Sequence, residues 1–100
     1  RPRQAVDHAL RAAQLDPANT ERWLMATDLS LRAGDLRAAL YATERLCAAN
    51  PKDIAQHVRL HLLGLAAGDA AAAARGAEVS GFRAAVPENP TLDDLFAVLE

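Results

Sequence analysis

The feature that most constrains this chain is an internal repeat with a period of 34 residues. The run LRAGD at 31–35 returns as LAAGD at 65–69, and the same interval separates Pro17 from Pro51. Independent markers that share one spacing identify a true repeat. Repeats of this length are typical of solenoids, in which each unit buries its apolar face against its neighbours.

The composition favours helices within each repeat. Hydrophobic residues make up 51% of the chain, but aromatic residues make up only 4%, and alanine and leucine supply most of the difference. Both have high helix propensity, whereas the β-branched residues that favour strands are scarce. No strand-like alternation of apolar and polar residues persists anywhere. We therefore expect an all-α fold.

Residues that suit helix ends lie at equivalent places in successive repeats. Asn19 or Thr20, and Asp53, follow the prolines and can accept hydrogen bonds from unpaired first-turn N–H groups. Gly34 and Gly68 suit the left-handed position after a helix, and the aspartate that follows each glycine suits the next N-cap. These signals predict helices over residues 3–15, 20–33, 36–49, 54–67, 70–85 and 92–99.

Two helices in 34 residues, with a small residue early in the second and a proline between units, resemble the tetratricopeptide repeat. Trp23 lies where that family favours a large aromatic residue. The small residue is an alanine in three successive units, at Ala5, Ala39 and Ala73. The resemblance covers residues 1–75 and implies a right-handed α-α superhelix, a tetratricopeptide-like solenoid of about six helices in roughly 2.5–3 repeats. We treat residues 1–100 as a single domain.

The pattern also departs from that family. Thr27 and His61 stand where glycine is common, Ser30 and Gly64 stand where tyrosine is common, and Pro87 comes two residues later than the period predicts. The frame begins in the middle of a repeat, which we interpret as a sign that the chain is a fragment of a longer array. The alternative is a short protein whose terminal helices act as caps.

The resemblance implies a partner-binding surface. In this family the first helices of successive repeats line a concave groove, and the positions that face it can be matched residue by residue. On the first such helix they are Glu21, Leu24, Met25, Asp28, Leu31 and Arg32, and on the next they are Ala55, Val58, Arg59, Leu62, Leu65 and Ala66. This surface suits a peptide or an amphipathic helix of another protein. The alternative is that its leucines pack against neighbouring helices.

One use of the family, the gripping of a chaperone's C-terminal carboxylate, requires Lys, Asn and Arg at set groove positions. Arg59 matches in place and type. Four other groove residues do not match, namely Leu24, Met25, Asp28 and Ala55. We therefore do not expect that function.

A histidine pair and a single cysteine are the remaining candidates for chemistry. His57 and His61 share a helix face with Asp53 one turn earlier, which is a spacing that metal sites use. Asp53 is more simply explained as an N-cap and two histidines are an incomplete ligand set, so we predict no metal site. Cys47 lies on the apolar stripe of its helix, which predicts a buried structural thiol.

Charge and motifs exclude several classes of function. The net charge of -2 gives no basic patch for nucleic acid. No apolar run exceeds five residues, as at 70–74, which is far shorter than the roughly 20 residues that cross a bilayer, so we expect no membrane insertion. No phosphate loop, nucleophile elbow or dinucleotide fingerprint is present, so we expect neither a cofactor nor enzyme activity.

The sequence therefore favours a protein-interaction module whose groove binds another protein. An alternative is a scaffold or oligomerisation element of a bacterial secretion, envelope or polysaccharide-export assembly, which would self-associate through the open ends of the solenoid. A third hypothesis is an accessory segment beside a catalytic domain that carries the chemistry itself. The single cysteine neither requires nor excludes an oxidising compartment.

Overall fold

The computed structural model describes residues 2–81, which form five α-helices and contain no strand. The helices are α1 (Pro2–Leu15), α2 (Thr20–Arg32), α3 (Leu36–Ala49), α4 (Ile54–Ala67) and α5 (Ala70–Ser80). The first four agree with the predicted bounds to within one residue. The helix predicted over 92–99 lies outside the described residues.

The fifth helix is shorter than predicted. We expected it to reach residue 85, but it ends at Ser80, and Gly81 follows with a left-handed φ of 70°. The N–H of Gly81 donates to the carbonyl oxygen of Ala77 at 2.8 Å. Glycine is the residue that takes this conformation without a steric penalty, so Gly81 ends the helix rather than continuing it.

The predicted N-caps are confirmed. Each cap side chain accepts a hydrogen bond from a backbone N–H of the first turn, and such a cap stabilises a helix by about 1 kcal/mol. The bonds run from Glu21 to Asn19, from Ala38 to Asp35, from Gln56 to Asp53 and from Ala72 to Asp69, at 3.0–3.3 Å. Local chemistry therefore sets where four of the five helices begin.

The turns between paired helices repeat at the same 34-residue interval. Gly34 and Gly68 both adopt a φ of 73°. The N–H of Asp35 donates to the carbonyl of Ser30 at 2.8 Å, and the N–H of Asp69 donates to the carbonyl of Gly64 at 2.8 Å. This bond across the end of a helix is the Schellman arrangement, and it brings α3 and α5 back along the preceding helix in the same way.

Each helix packs against the next one in the chain, and α1 also contacts α3. The buried apolar residues form two clusters that share α3. One joins α1, α2 and α3 through Ala13, Trp23, Ala26, Ala42 and Leu46. The other joins α2 to α5 through Leu31, Ala39, Leu40, Cys47, Leu60, Leu62, Leu63 and Ala72. The core is thus continuous along the stack of helices.

Glycine allows α4 and α5 to approach closely. A Cβ added to Gly64 would lie less than 3 Å from the backbone nitrogen and Cα of Ala73. A Cβ added to Gly76 would meet the backbone of His57 and His61 at similarly short range. The two helices therefore touch backbone to backbone at two points, which no larger residue permits without moving a helix.

Candidate functional site

The predicted surface on α2 is largely open to solvent. Leu24 is 39% exposed and Met25 is 62% exposed, although both are large apolar side chains. Asp28 follows Leu24 by four residues and Met25 by three, so the three residues share one face of the helix. Glu21 and Arg32 are also exposed. This face is amphipathic and unburied within the described chain.

The predicted surface on α4 is more enclosed. Ala55 is exposed, but the residues that follow on the same face are half-buried, namely Val58, Arg59, Leu65 and Ala66. Val58 and Ala66 pack against the larger of the two core clusters. The α4 side therefore offers a shallow and mainly aliphatic surface.

Two of the twelve predicted groove residues belong to the core. Leu31 is 3% exposed and Leu62 is 0% exposed, and both lie in the cluster that joins α2 to α5. Burying a leucine side chain stabilises the fold by roughly 1.5–3 kcal/mol, and the chain uses these two to hold its helices together. They are not available to a partner.

Arg59 is the unusual member of the surface. Its Nη1 donates to Oε1 of Gln56 at 3.4 Å, but its Nε is buried and has no hydrogen-bond partner among the described residues. Burial lowers the pKa of this guanidinium, and the charges of Asp28 and Asp53 oppose that effect. The charge of Asp28, on the open face of α2, therefore acts on Arg59 of α4.

Asp28 has a second and more local partner. Its carboxylate pairs with Arg32 one turn later on α2, at 3.2 Å, with both side chains more than half exposed. An exposed pair at this spacing contributes about 0.5 kcal/mol or less to stability. Asp28 is therefore free to exchange this partner for a charge on another molecule at little cost.

The structure also shows a concavity that sequence reasoning missed. A cleft of about 600 Å³ lies between α3 and α5, with α4 at its base. It involves Tyr41, Glu44, Arg45, Cys47, Ala48, His57, Leu60, Arg75, Glu78 and Val79. At 100° per residue, His57 and Leu60 lie on the side of α4 opposite to Val58 and Leu62. The cleft and the predicted groove are therefore separate surfaces.

Little in the sequence could have revealed this cleft. Tyr41 and Arg75 occupy the same position in successive repeats, and each starts an i, i+3, i+4 face on its helix. That spacing predicts a shared orientation, but the gap between α3 and α5 depends on how tightly α4 packs against each of them. Only the assembled helices define it.

The histidines have structural partners. Nδ1 of His57 lies 2.7 Å from the carbonyl oxygen of Asp53, and Nδ1 of His61 lies 2.9 Å from the carbonyl oxygen of Ala73. A carbonyl can only accept, so each Nδ1 carries the proton. Within the described part of the chain, no three His, Cys, Asp or Glu residues are grouped to hold a metal ion.

Cys47 is a buried thiol, as predicted. Its pKa is raised from 9.0 to about 11, mainly by burial and then by the carboxylates of Asp53 and Glu44, while Arg59 opposes the shift. The thiol is therefore protonated near neutral pH, and the thiolate that nucleophilic chemistry needs is scarce.

Comparisons with known proteins add no identity. No family model, no curated protein and no solved structure matches this chain. Among the described residues, no helix has the length and apolar character that spanning a membrane requires.

Proposed function

We propose that this chain is a protein-interaction module of the tetratricopeptide kind, and that it binds a peptide or amphipathic helix of another protein along α2 and α4. The binding residues are Glu21, Leu24, Met25, Asp28 and Arg32 on α2, with Ala55, Val58, Arg59, Leu65 and Ala66 on α4. In this proposal the paired helices follow the right-handed superhelical path of that repeat.

The observation that carries the proposal is the exposure of Leu24 and Met25 side by side on α2. Scattered apolar residues on a surface need no explanation, but these two share a helix face with Asp28, whose charge acts on the half-buried guanidinium of Arg59. A partner segment that covered Leu24 and Met25 would remove apolar surface from water.

The repeat supports the solenoid part of the proposal. The same caps, the same left-handed glycines and the same turn hydrogen bonds recur 34 residues apart. Repeated turns of one geometry place successive helix pairs in related orientations, which is how solenoids create extended binding surfaces.

The outer face of α1 favours binding along α2 and α4 over stacking at that end. Its exposed residues are mostly polar or charged, namely Arg3, Gln4, Asp7, His8, Arg11 and Gln14, with Leu15 at the last position. Self-association by stacking normally needs an apolar face. The α1 surface does not provide one.

The proposal can be tested without knowing the natural partner. Peptides selected from a random displayed library against the purified chain would be synthesised, and their affinities measured by fluorescence anisotropy. Met25→Lys should weaken the selected peptides by about tenfold or more, because it places a charge where apolar surface is buried. The double reversal Asp28→Lys with Arg59→Glu should alter which peptides are selected.

Leu15→Lys is the matched control, because Leu15 is an apolar side chain on a different helix and is at least as exposed as Met25. It should leave the affinities unchanged, and circular dichroism should show that every variant is folded. Peptides that lose affinity with Leu15→Lys but not with Met25→Lys would overturn the proposal.

A further inference from the structure

The cleft between α3 and α5 is large enough to hold a small molecule. Its volume of about 600 Å³ falls within the range of clefts that hold small ligands, roughly 300–1,000 Å³. It lies on the opposite side of α4 from the surface proposed above for partner binding. What it binds is therefore a separate question from the proposed function.

The floor of the cleft is apolar and uncharged. Leu60 and Cys47 are buried at its base, Ala48 and Val79 lie on its two walls, and Val79 remains exposed at the end of α5. The raised pKa of Cys47 keeps the thiol neutral near pH 7. A planar apolar group would cover this surface and remove it from water.

One hydrogen-bond acceptor belongs to the same floor. The hydrogen bond from His57 Nδ1 to the carbonyl of Asp53 fixes the proton on that nitrogen, so Nε2 is the ring atom left to accept. His57 is one of the residues that line the cleft. An apolar ligand with an N–H or O–H donor is therefore better suited to this site than one without.

Each wall of the cleft carries one acidic and one basic residue at the rim. Glu44 of α3 and Arg75 of α5 form an ion pair at 2.8 Å that joins the walls. Arg45 on α3 and Glu78 on α5 also line the cleft, and neither has an ion-pair partner within 4 Å among residues 3–81. A ligand with both a carboxylate and an ammonium group complements this unpaired cation and anion.

We propose that this cleft binds a free aromatic amino acid with a ring donor, such as tryptophan. The ring lies on Leu60 and Val79 with its N–H toward His57, the carboxylate faces Arg45 and the ammonium group faces Glu78. No covalent step is involved.

The probe is L-tryptophan, titrated into the full chain labelled with ¹⁵N and followed by amide chemical shifts. Saturable shifts are expected on α3 and α5 around Arg45 and Glu78, with small changes at Leu24 and Met25. Tryptamine lacks the carboxylate and indole-3-propionate lacks the ammonium group, and each should bind about fivefold or more weakly. L-phenylalanine lacks the ring donor and should also bind more weakly than L-tryptophan.

Two variants test the proposed contacts of the carboxylate and the ammonium group one at a time. Arg45→Gln should weaken L-tryptophan and indole-3-propionate but leave tryptamine unchanged, and Glu78→Gln should weaken L-tryptophan and tryptamine but leave indole-3-propionate unchanged. Arg37→Gln is the control, since it removes an exposed arginine of α3 that does not line the cleft. Unsaturable or scattered shifts with L-tryptophan would overturn the proposal. So would equal affinities for the three indole compounds.

Discussion

The two helix pairs of the described chain, α2 with α3 and α4 with α5, follow one 34-residue plan but are held together differently. In the first pair the key position on the leading helix is Trp23, which stacks edge-on with Tyr41 at 5.7 Å between ring centroids. The indole N–H also donates to the carbonyl of Pro17 at 3.0 Å. The equivalent position in the second pair is His57, which bonds to its own helix terminus instead.

Smaller residues accompany that change. Ser30 and Ala42 of the first pair correspond to Gly64 and Gly76 of the second. The first pair therefore fills the space between its helices with a large ring, and the second removes the space by bringing backbones together. The comparison teaches that caps and turns can preserve a repeat while the helix interface is rebuilt from different residues.

The largest expected effect is on the aromatic side of the comparison. Trp23→Ala should lower the free energy of unfolding by about 3–5 kcal/mol, because it empties a large part of the core cluster of α1, α2 and α3. His57→Ala at the equivalent position should cost about half as much or less, since a smaller ring is lost. Urea denaturation of both variants measures the difference. Equal losses would show that the ring is not what holds the first pair.

Adding a methyl group tests the close approach of the second pair. Gly76→Ala should destabilise the protein by about 2 kcal/mol, because overpacking against the backbone of His57 and His61 outweighs the better helix propensity of alanine. Ala42→Gly makes the reverse change in the first pair and should cost about 1–2 kcal/mol, through lost propensity and a lost buried methyl. If Gly76→Ala is stabilising in a thermal melt, α4 and α5 are further apart than described.

A hydrogen bond also distinguishes the two helix pairs one turn further along the leading helix, at Thr27 and His61. His61 bonds across to the carbonyl of Ala73 on α5, whereas Thr27, its equivalent, bonds back to the carbonyl of Trp23 on its own helix. His61→Leu should therefore lower the free energy of unfolding by about 1–2 kcal/mol, and Thr27→Val by less than about 1 kcal/mol. Chemical denaturation measures both losses. A larger loss for Thr27→Val than for His61→Leu would contradict this prediction.

The shared features should respond equally. Asp35→Ala and Asp69→Ala each remove one N-cap hydrogen bond of 3.0 Å, at equivalent positions in the two pairs. Each should cost about 1 kcal/mol in the free energy of unfolding. Equal losses would show that the two helix pairs share their N-caps although their helix interfaces differ. A difference of more than about 1 kcal/mol between the two variants would contradict the shared 34-residue plan.

The smallest effect concerns Cys47, whose equivalent in the next unit is Gly81. The pKa of the buried thiol is raised to about 11, so the folded state holds its proton while the unfolded state loses it near pH 9. Stability from this group is complete below about pH 9 and is lost as pH rises toward 11. Cys47→Ala should lose less stability between pH 8 and pH 10 than the unmodified chain. Identical pH profiles would argue against burial.

Local features of the fold were predictable, because they depend on neighbouring residues. The caps and the left-handed glycines follow from a side-chain oxygen or a missing Cβ at the right place. Gly76 differs, because glycine inside a helix is normally unfavourable and its role depends on a neighbouring helix. The backbone of α4 packs directly against it.

The surfaces were harder to predict, because they depend on how helices assemble. Leu31 and Leu62 share a helix face with exposed residues, but neighbouring helices cover them. The cleft beside Arg45 arises from the spacing of three helices and carries no motif. The hydrogen bond from His61 to the carbonyl of Ala73 likewise depends on the packing of α5 against α4.

The most direct test of the account is the measurement of nuclear Overhauser effects between α4 and α5. Backbone contact predicts strong cross-peaks from the Hα protons of Gly76 to the backbone protons of His57 and His61, and from those of Gly64 to the amide proton of Ala73. Ser30 and Ala39 are the equivalents of Gly64 and Ala73 in the first pair. The cross-peak between their backbone protons should be no stronger than the one between Gly64 and Ala73. Absence of the glycine cross-peaks, with those between α2 and α3 present, would contradict the claim that glycine packing replaces aromatic packing in the second repeat.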